Sequence, residues 1–174
     1  MTQERIITVF GSYEPQAGEA GYEQAYQVGY ELAGAGFVLA NGGYAGTMEA
    51  SAKGAKEAGG KTIGVSCRAF KRSEVNEYID EEIETANLQE RLEKLIELGS
   101  GYVVLPGGTG TLAELACTWE MINKGFLPGR LVVIMGEFWQ PVVELVEQAS
   151  QRSRGMVHKV SEAKELAEIF QKVQ

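Results

Sequence analysis

The chain is expected to fold as an α/β protein built on a doubly wound parallel sheet, and three observations predict it. Apolar runs of four or five residues alternate with segments of helical period from one end to the other. The glycines gather where those runs end: Gly11, Gly42-Gly43-x-x-Gly46 and Gly107-Gly108-x-Gly110. No linker, charge block, low-complexity tract or internal repeat interrupts the alternation. Short strands joined by helices imply right-handed crossovers and a sheet covered on both faces.

In order, 6–10 (Ile-Ile-Thr-Val-Phe) is a strand that stops at Gly11. A helix follows over 22–35, with Tyr22, Ala25, Tyr26, Gly29 and Ala33 on one face and Gly34 and Gly36 at its end. Strand 37–40 leads through the glycine loop 41–47 into a helix over 48–58. Strand 62–66 is followed by 67–80, which has no clear period and reads as an irregular loop. Helix 88–98, strand 101–105, loop 106–110 and helix 111–124 come next. Strand 131–135, a helix over 141–151, strand 157–160 and an amphipathic helix over 161–173 close the chain. The whole of 1–174 is expected to form one domain, as its length suggests.

Composition excludes several classes of function. Twenty-four acidic residues against 16 basic ones give a net charge of −8, the wrong sign for binding a nucleic acid polymer or an anionic membrane through a basic face. There is no run of about 18 apolar residues and no signal-peptide core, so a cytoplasmic location is expected. Cys67 and Cys117 are too few for a disulfide framework and read as reduced thiols. The lone histidine, His158, reads as structural, so no metal site and no Ser-His-Asp triad is expected.

The 22 glycines are nearly twice the usual share of about 7%. In doubly wound sheets, ligands bind beyond the carboxyl ends of the strands, where these glycine loops fall. A glycine loop that opens a helix lets a phosphate approach unpaired N–H groups at the positive end of the helix dipole. The same glycines also suit tight strand-to-helix turns. Gly43-Tyr44-Ala45-Gly46-Thr47 has no lysine where a P-loop needs one. Asn41 stands in place of the first glycine of a dinucleotide fingerprint, and about twenty residues on there is Ser66-Cys67-Arg68 rather than an acid. These departures count against ATP hydrolysis of the P-loop type and against NAD, and no cofactor is expected.

The longest motif is 105–114, Leu-Pro-Gly-Gly-Thr-Gly-Thr-Leu-Ala-Glu. Thr111 to Glu114 fits a capping box that ties down the first turn of a helix. Equally, a carboxylate three residues past a phosphate loop suits stabilising an oxocarbenium ion and orienting water. Tyr22, Tyr26 and Tyr30 read as a packing stripe, Trp119 and Met121 as core, and Glu90, Glu93 and Glu97 beside Lys94 as a solvated face.

The run Pro-Gly-Gly-Thr-Gly-Thr-x-x-Glu at 106–114, with Arg91 on the preceding helix and Gly-Gly-x-x-Gly-Thr-Met at 42–48, resembles the LOG family of cytokinin riboside 5′-monophosphate phosphoribohydrolases, long labelled possible lysine decarboxylases. Val9-Phe10-Gly11-Ser12 and Thr118-Trp119 match as well, so the resemblance runs through nearly the whole chain. It implies a modified Rossmann fold, a homodimer or higher homo-oligomer, and hydrolysis of a nucleoside 5′-monophosphate to free base and ribose 5-phosphate. It implies Arg91 and Glu114 as the catalytic pair, and a phosphate and nucleotide site at Gly11, Ser12, Gly43, Gly46, Thr47, Gly107, Gly108, Thr109, Gly110 and Thr111. Leu92 follows Arg91 where many members carry lysine, and Asn41 stands where many carry glycine. The superfamily also includes molybdenum cofactor carrier proteins, which hold a phosphate-bearing pterin without cleaving it. A pyridoxal-dependent decarboxylase fits poorly, because nothing marks a Schiff-base lysine.

Overall fold

The computed structural model describes residues 4–70 and 74–172. Its elements are β1 (Ile6–Phe10), α1 (Ala20–Gly34), β2 (Val38–Asn41), α2 (Thr47–Glu57), β3 (Thr62–Cys67), β4 (Glu81–Thr85), α3 (Leu88–Leu98), β5 (Gly101–Val104), α4 (Thr109–Asn123), β6 (Val132–Met135), α5 (Gln140–Ala149), β7 (Val157–Val160) and α6 (Lys164–Gln171). The strands form one parallel sheet in the order β4-β3-β2-β1-β5-β6-β7. The chain winds outward from β1 to β4, then returns to the other side of β1 and winds outward again. The expected doubly wound fold is therefore present, with its switch point between β1 and β5. No helix among the described residues is long and apolar enough to cross a membrane.

Alternation along the strands fills two cores. Ile7, Val9, Val103, Leu105, Val133 and Met135 face α1, α2 and α6. Phe10, Tyr102, Val104, Val132 and Ile134 face α3, α4 and α5. Both faces of the central strands are buried, which is why they read as continuous apolar runs and not as alternating ones. Trp119 is buried in the second core and Met121 packs against it, as expected. Tyr22 is buried on α1, whereas Tyr30 is exposed and stacks on Tyr26 at 6.3 Å.

Three expectations are corrected. Strand β4 lies beyond the 67–80 stretch and was not expected, because Glu81-Glu82-Ile83-Glu84-Thr85 has no apolar run. It is an edge strand bonded only to β3 and needs little apolar surface. Helix α4 begins at Thr109 and not at 111, since Gly108 is its N-cap. Helix α6 begins at Lys164, after the Glu165 carboxylate has accepted the main-chain amides of Ser161 and Glu162. Residues 71–73 of the irregular stretch, the first three residues, and Val173 at the end of the last expected helix lie outside the described residues.

Helices α1 and α2 cross in close contact. A Cβ on Gly29 would sit 1.9 Å from the Ser51 carbonyl oxygen, and one on Gly54 2.0 Å from that of Tyr26. The two glycines let backbone meet backbone, and the Tyr22 hydroxyl donates to Glu49 across the same crossing at 2.8 Å. Gly29→Ala or Gly54→Ala is expected to destabilise the protein by about 1–3 kcal/mol, the scale of overpacking. Denaturant unfolding should register this as a lower midpoint at an unchanged slope.

Candidate functional site

The site is assembled where β1 and β5 part, from the loops that leave β1, β2 and β5. Thr47, the first residue of α2, donates its hydroxyl to the Ser12 carbonyl at 3.0 Å and its amide to the same oxygen at 2.8 Å. Thr111 of α4 donates its hydroxyl to the Gly11 carbonyl at 2.9 Å. Two helix N-termini are thus bolted to the Gly11-Ser12 loop. The glycines at these bolts leave no room for a side chain. A Cβ on Gly11 would lie 2.2 Å from Thr47 Oγ1, and one on Gly107 2.2 Å from Thr111 Oγ1. Gly46 has φ +69°, a conformation that favours glycine, and a Cβ there would meet the Ser12 carbonyl at 2.4 Å.

Gly108 and Gly110 differ from these. Nothing lies within 4 Å of a Cβ built on either. The first bond into α4 runs from the Leu112 amide to the Gly108 carbonyl at 3.0 Å. Among the described residues, the amides of Thr109, Gly110 and Thr111 have no acceptor. They form an open set of donors at the positive end of a 15-residue helix, the arrangement that suits an anion.

Arg91 is buried on α3, and its guanidinium reaches the ends of two other elements. Nε donates to the Val65 carbonyl of β3 at 2.8 Å, and Nη2 to the Gly42 carbonyl at 3.0 Å. Neither proton of Nη1 has an acceptor among the described residues. The helix that carries Arg91 is fixed at its start by Asn87, whose side chain accepts from the Glu90 amide at 3.0 Å. Glu90 returns the interaction to the Ala86 amide, so it is a capping residue as well as part of a solvated face.

Glu114 lies in the second turn of α4, because that helix begins five residues earlier. The capping-box reading is thereby excluded. Burial pushes the Glu114 carboxyl up to about 7, and the Arg91 guanidinium offsets only part of that. Glu114 has no hydrogen-bond partner among the described residues. A half-buried carboxyl that changes charge near neutral pH, opposed by a fixed guanidinium and next to an open amide set, is equipped for proton transfer and for stabilising positive charge.

Several residues shape this site without having been expected among its ligand-binding or catalytic residues. Gly42 is one: a Cβ there would lie 1.9 Å from Arg91 Nη2. Asn41, which departs from the family pattern, is fully buried and organises its loop. Its side chain donates to the Met48 carbonyl at 2.8 Å and accepts from the Gly43 amide at 2.8 Å. Gly43 turns with φ +78°, and its carbonyl accepts from Asn76. Tyr44 and Phe70 place their ring centroids 5.2 and 5.5 Å from the Arg91 guanidinium carbon. Gly42 is marked in the sequence by the glycine motif and Asn41 by its departure from it; Tyr44, Phe70 and Asn76 come from loops without periodicity.

The chain is 38% identical over 110 residues to an uncharacterized protein of Archaeoglobus fulgidus, covering 63% of this chain and 70% of that one. It is 34% identical over 121 residues to a cytokinin riboside 5′-monophosphate phosphoribohydrolase of Mycobacterium tuberculosis, covering 68% of this chain and 64% of that one. A rice protein of the same activity name is 29% identical over 150 residues, with 83% and 61% covered. The chain thus spans less than two thirds of the length of either phosphoribohydrolase. Among solved structures, the molybdenum cofactor binding protein of Rippkaea orientalis superposes with a TM-score of 0.83 at 26% identity over 99% of both chains. The molybdenum cofactor carrier protein of Chlamydomonas reinhardtii gives 0.76 at 25% identity over 98% of both. The SLOG cluster4 family model matches residues 4–167, so the glycine loops, Arg91 and Glu114 all fall within the match, and the chain belongs to that family.

Proposed function

We propose that this protein hydrolyses the N-glycosidic bond of a nucleoside 5′-monophosphate, AMP or an N6-substituted relative, to free base and ribose 5-phosphate. The observation that carries the reading is Glu114, a carboxyl poised near pH 7 between Arg91 and the open N-terminus of α4. The names of several relatives support it. The phosphate sits on the amides of Thr109, Gly110 and Thr111, with Gly108 giving it room and the Gly11, Ser12, Gly43, Gly46, Thr47 and Gly107 framework behind it. The ribose then lies toward Glu114. As the C1′–N bond breaks, the base leaves with the bonding pair and receives, by way of Glu114, the proton given up by the attacking water. The ionised Glu114 stabilises the oxocarbenium-like sugar and takes a proton from the water that forms the new C1′–O bond. Arg91 turns its Nη1 protons to the ligand, and its charge favours the ionised form of Glu114.

A homodimer or higher homo-oligomer belongs to this reading. The outward face of α4 carries Leu112, Ala113, Ala116 and Cys117, all exposed and none charged, and suits contact with a second copy. The site is expected to work in the cytoplasm, where nucleoside monophosphates are made and used.

A second reading, a carrier of a phosphate-bearing pterin, is favoured by one observation. The chain matches a molybdenum cofactor binding protein over 99% of both lengths, while it spans less than two thirds of either phosphoribohydrolase. Incubation with AMP, other monophosphates and N6-isopentenyl-AMP separates the two. Release of free base, from monophosphates far faster than from the matching nucleosides, is expected; no base from any of them, together with binding of molybdopterin, would establish the carrier instead.

Glu114→Gln is expected to lower turnover at least ~100-fold with binding retained. The wild-type kcat/KM should rise about tenfold per pH unit below about 7 and level off above it, as the carboxylate forms. Stability runs the other way. The folded value lies above that of the unfolded chain, so the folded state keeps a proton that the unfolded state has released, and stability falls as pH rises from the carboxylate range through 7. Glu114→Gln should therefore be more stable than wild type at pH 8, by up to about 3 kcal/mol, and equal to it at pH 4. Thermal melts at the two pH values measure this.

The Cβ that Gly108→Val adds meets no atom within 4 Å. It should leave the melting temperature within a few degrees of wild type and weaken monophosphate binding at least ~10-fold, the loss of about one charge-assisted hydrogen bond. Gly11→Ala, whose new Cβ would lie 2.2 Å from Thr47 Oγ1, should show the reverse order and lose stability first. Calorimetric binding and thermal melts on both variants distinguish ligand space from scaffold.

A further inference from the structure

The catalytic reading leaves two aromatic side chains without a role. Tyr44 follows the turn at Gly43, and Phe70 comes just after β3. The two ring centroids are 5.8 Å apart, and each lies within 5.5 Å of the Arg91 guanidinium carbon, so the three groups form a closed triangle. Two corners of the triangle are fixed. Arg91 is held by the Val65 and Gly42 carbonyls. The Tyr44 hydroxyl accepts from the Cys67 amide at 2.7 Å, and the Asn76 side chain donates to the Tyr44 carbonyl at 2.8 Å. The third corner, Phe70, donates its amide to the Cys67 carbonyl at 3.0 Å and is 40% exposed. A large apolar ring exposed beside a buried cation is not explained by core packing. The carbonyl of Gly42 accepts from the same guanidinium, so the ring adjoins the glycine loop that opens α2.

We propose that Phe70, backed by Tyr44 and Arg91, is the surface on which the base of the bound nucleoside monophosphate stacks. This rests on the nucleotide reading of the site and adds to it the residue that selects for the base. A phosphate anchored at α4 and a sugar at Glu114 leave the base to be held by something other than the glycine loops. Aromatic rings hold bases through their π-faces and favour the larger fused ring, so a purine binds better than a pyrimidine here. The fixed back of the triangle means that Phe70 meets the base without reorganising Arg91.

The test is calorimetric titration in the Glu114→Gln background, which keeps AMP intact, with AMP, UMP and ribose 5-phosphate as the three probes. Ribose 5-phosphate carries the anchor and the sugar but no base. The expected result is that Phe70→Ala weakens AMP at least ~5-fold, weakens UMP less, leaves ribose 5-phosphate unchanged, and is rescued by Phe70→Trp. Unchanged AMP affinity in Phe70→Ala would overturn the stacking role while leaving the nucleotide site intact. A parallel loss of ribose 5-phosphate would also overturn it, since the ring would then be supporting the anchor and not the base. If the Phe70-bearing protein binds neither AMP nor ribose 5-phosphate, the nucleotide reading itself fails, and this inference with it.

Discussion

The site depends on one buried cation. Arg91 starts on α3, beneath one half of the sheet, and ends against carbonyls that close β2 and β3. A guanidinium taken out of water is tolerated only where its donors are satisfied, and main-chain carbonyls do this without cancelling the charge. The result is a fixed positive group with two protons that have no acceptor among the described residues. That group sets the width of the loop at Gly42, offsets part of the desolvation of Glu114, and backs the rings of Tyr44 and Phe70. Losing it would leave two carbonyls, one carboxyl and one loop without their partner at once.

The glycines of the motifs divide into two kinds that a sequence pattern does not separate. Gly11, Gly46 and Gly107 are required by the protein's own atoms, since Thr47, Thr111 and the Ser12 carbonyl occupy the space of a side chain. Gly108 and Gly110 face open space. The first kind holds the helices α2 and α4 to the β1 loop, and the second keeps the helix end accessible. Thr47 and Thr111 belong with the framework, because their hydroxyl protons go to main-chain carbonyls.

The fold was legible wherever burial was symmetrical. Five strands announced themselves because both of their faces are covered, and the edge strand β7 through its two valines, whereas β4, the other edge, is written mostly in glutamate and threonine. The switch-point loops were legible because glycine is demanded by close approach and leaves a mark in the sequence. The state of Glu114 was not, since it turns on where α4 starts and on how deeply one side chain is covered, and a shift of two residues in the helix start removed the capping geometry. Tyr44, Phe70 and Asn76 were illegible for a different reason. They meet only after residues 44, 70 and 76 are brought together by loops, and no spacing rule registers such a meeting. Asn41 looked like a defect in a glycine motif and is instead a buried hub for the turn.

The composition of β4 bears on how this sheet meets other sheets. Its outer edge offers main-chain groups that a second strand would pair with, the usual route to sheet-by-sheet growth. Three of its five side chains are glutamates, and at least Glu81, Glu82 and Glu84 reach solvent. A second copy aligned along this edge would bring like charges side by side in a molecule that already carries a net −8. Edge pairing is thereby penalised, and the sheet is kept from growing strand by strand at β4.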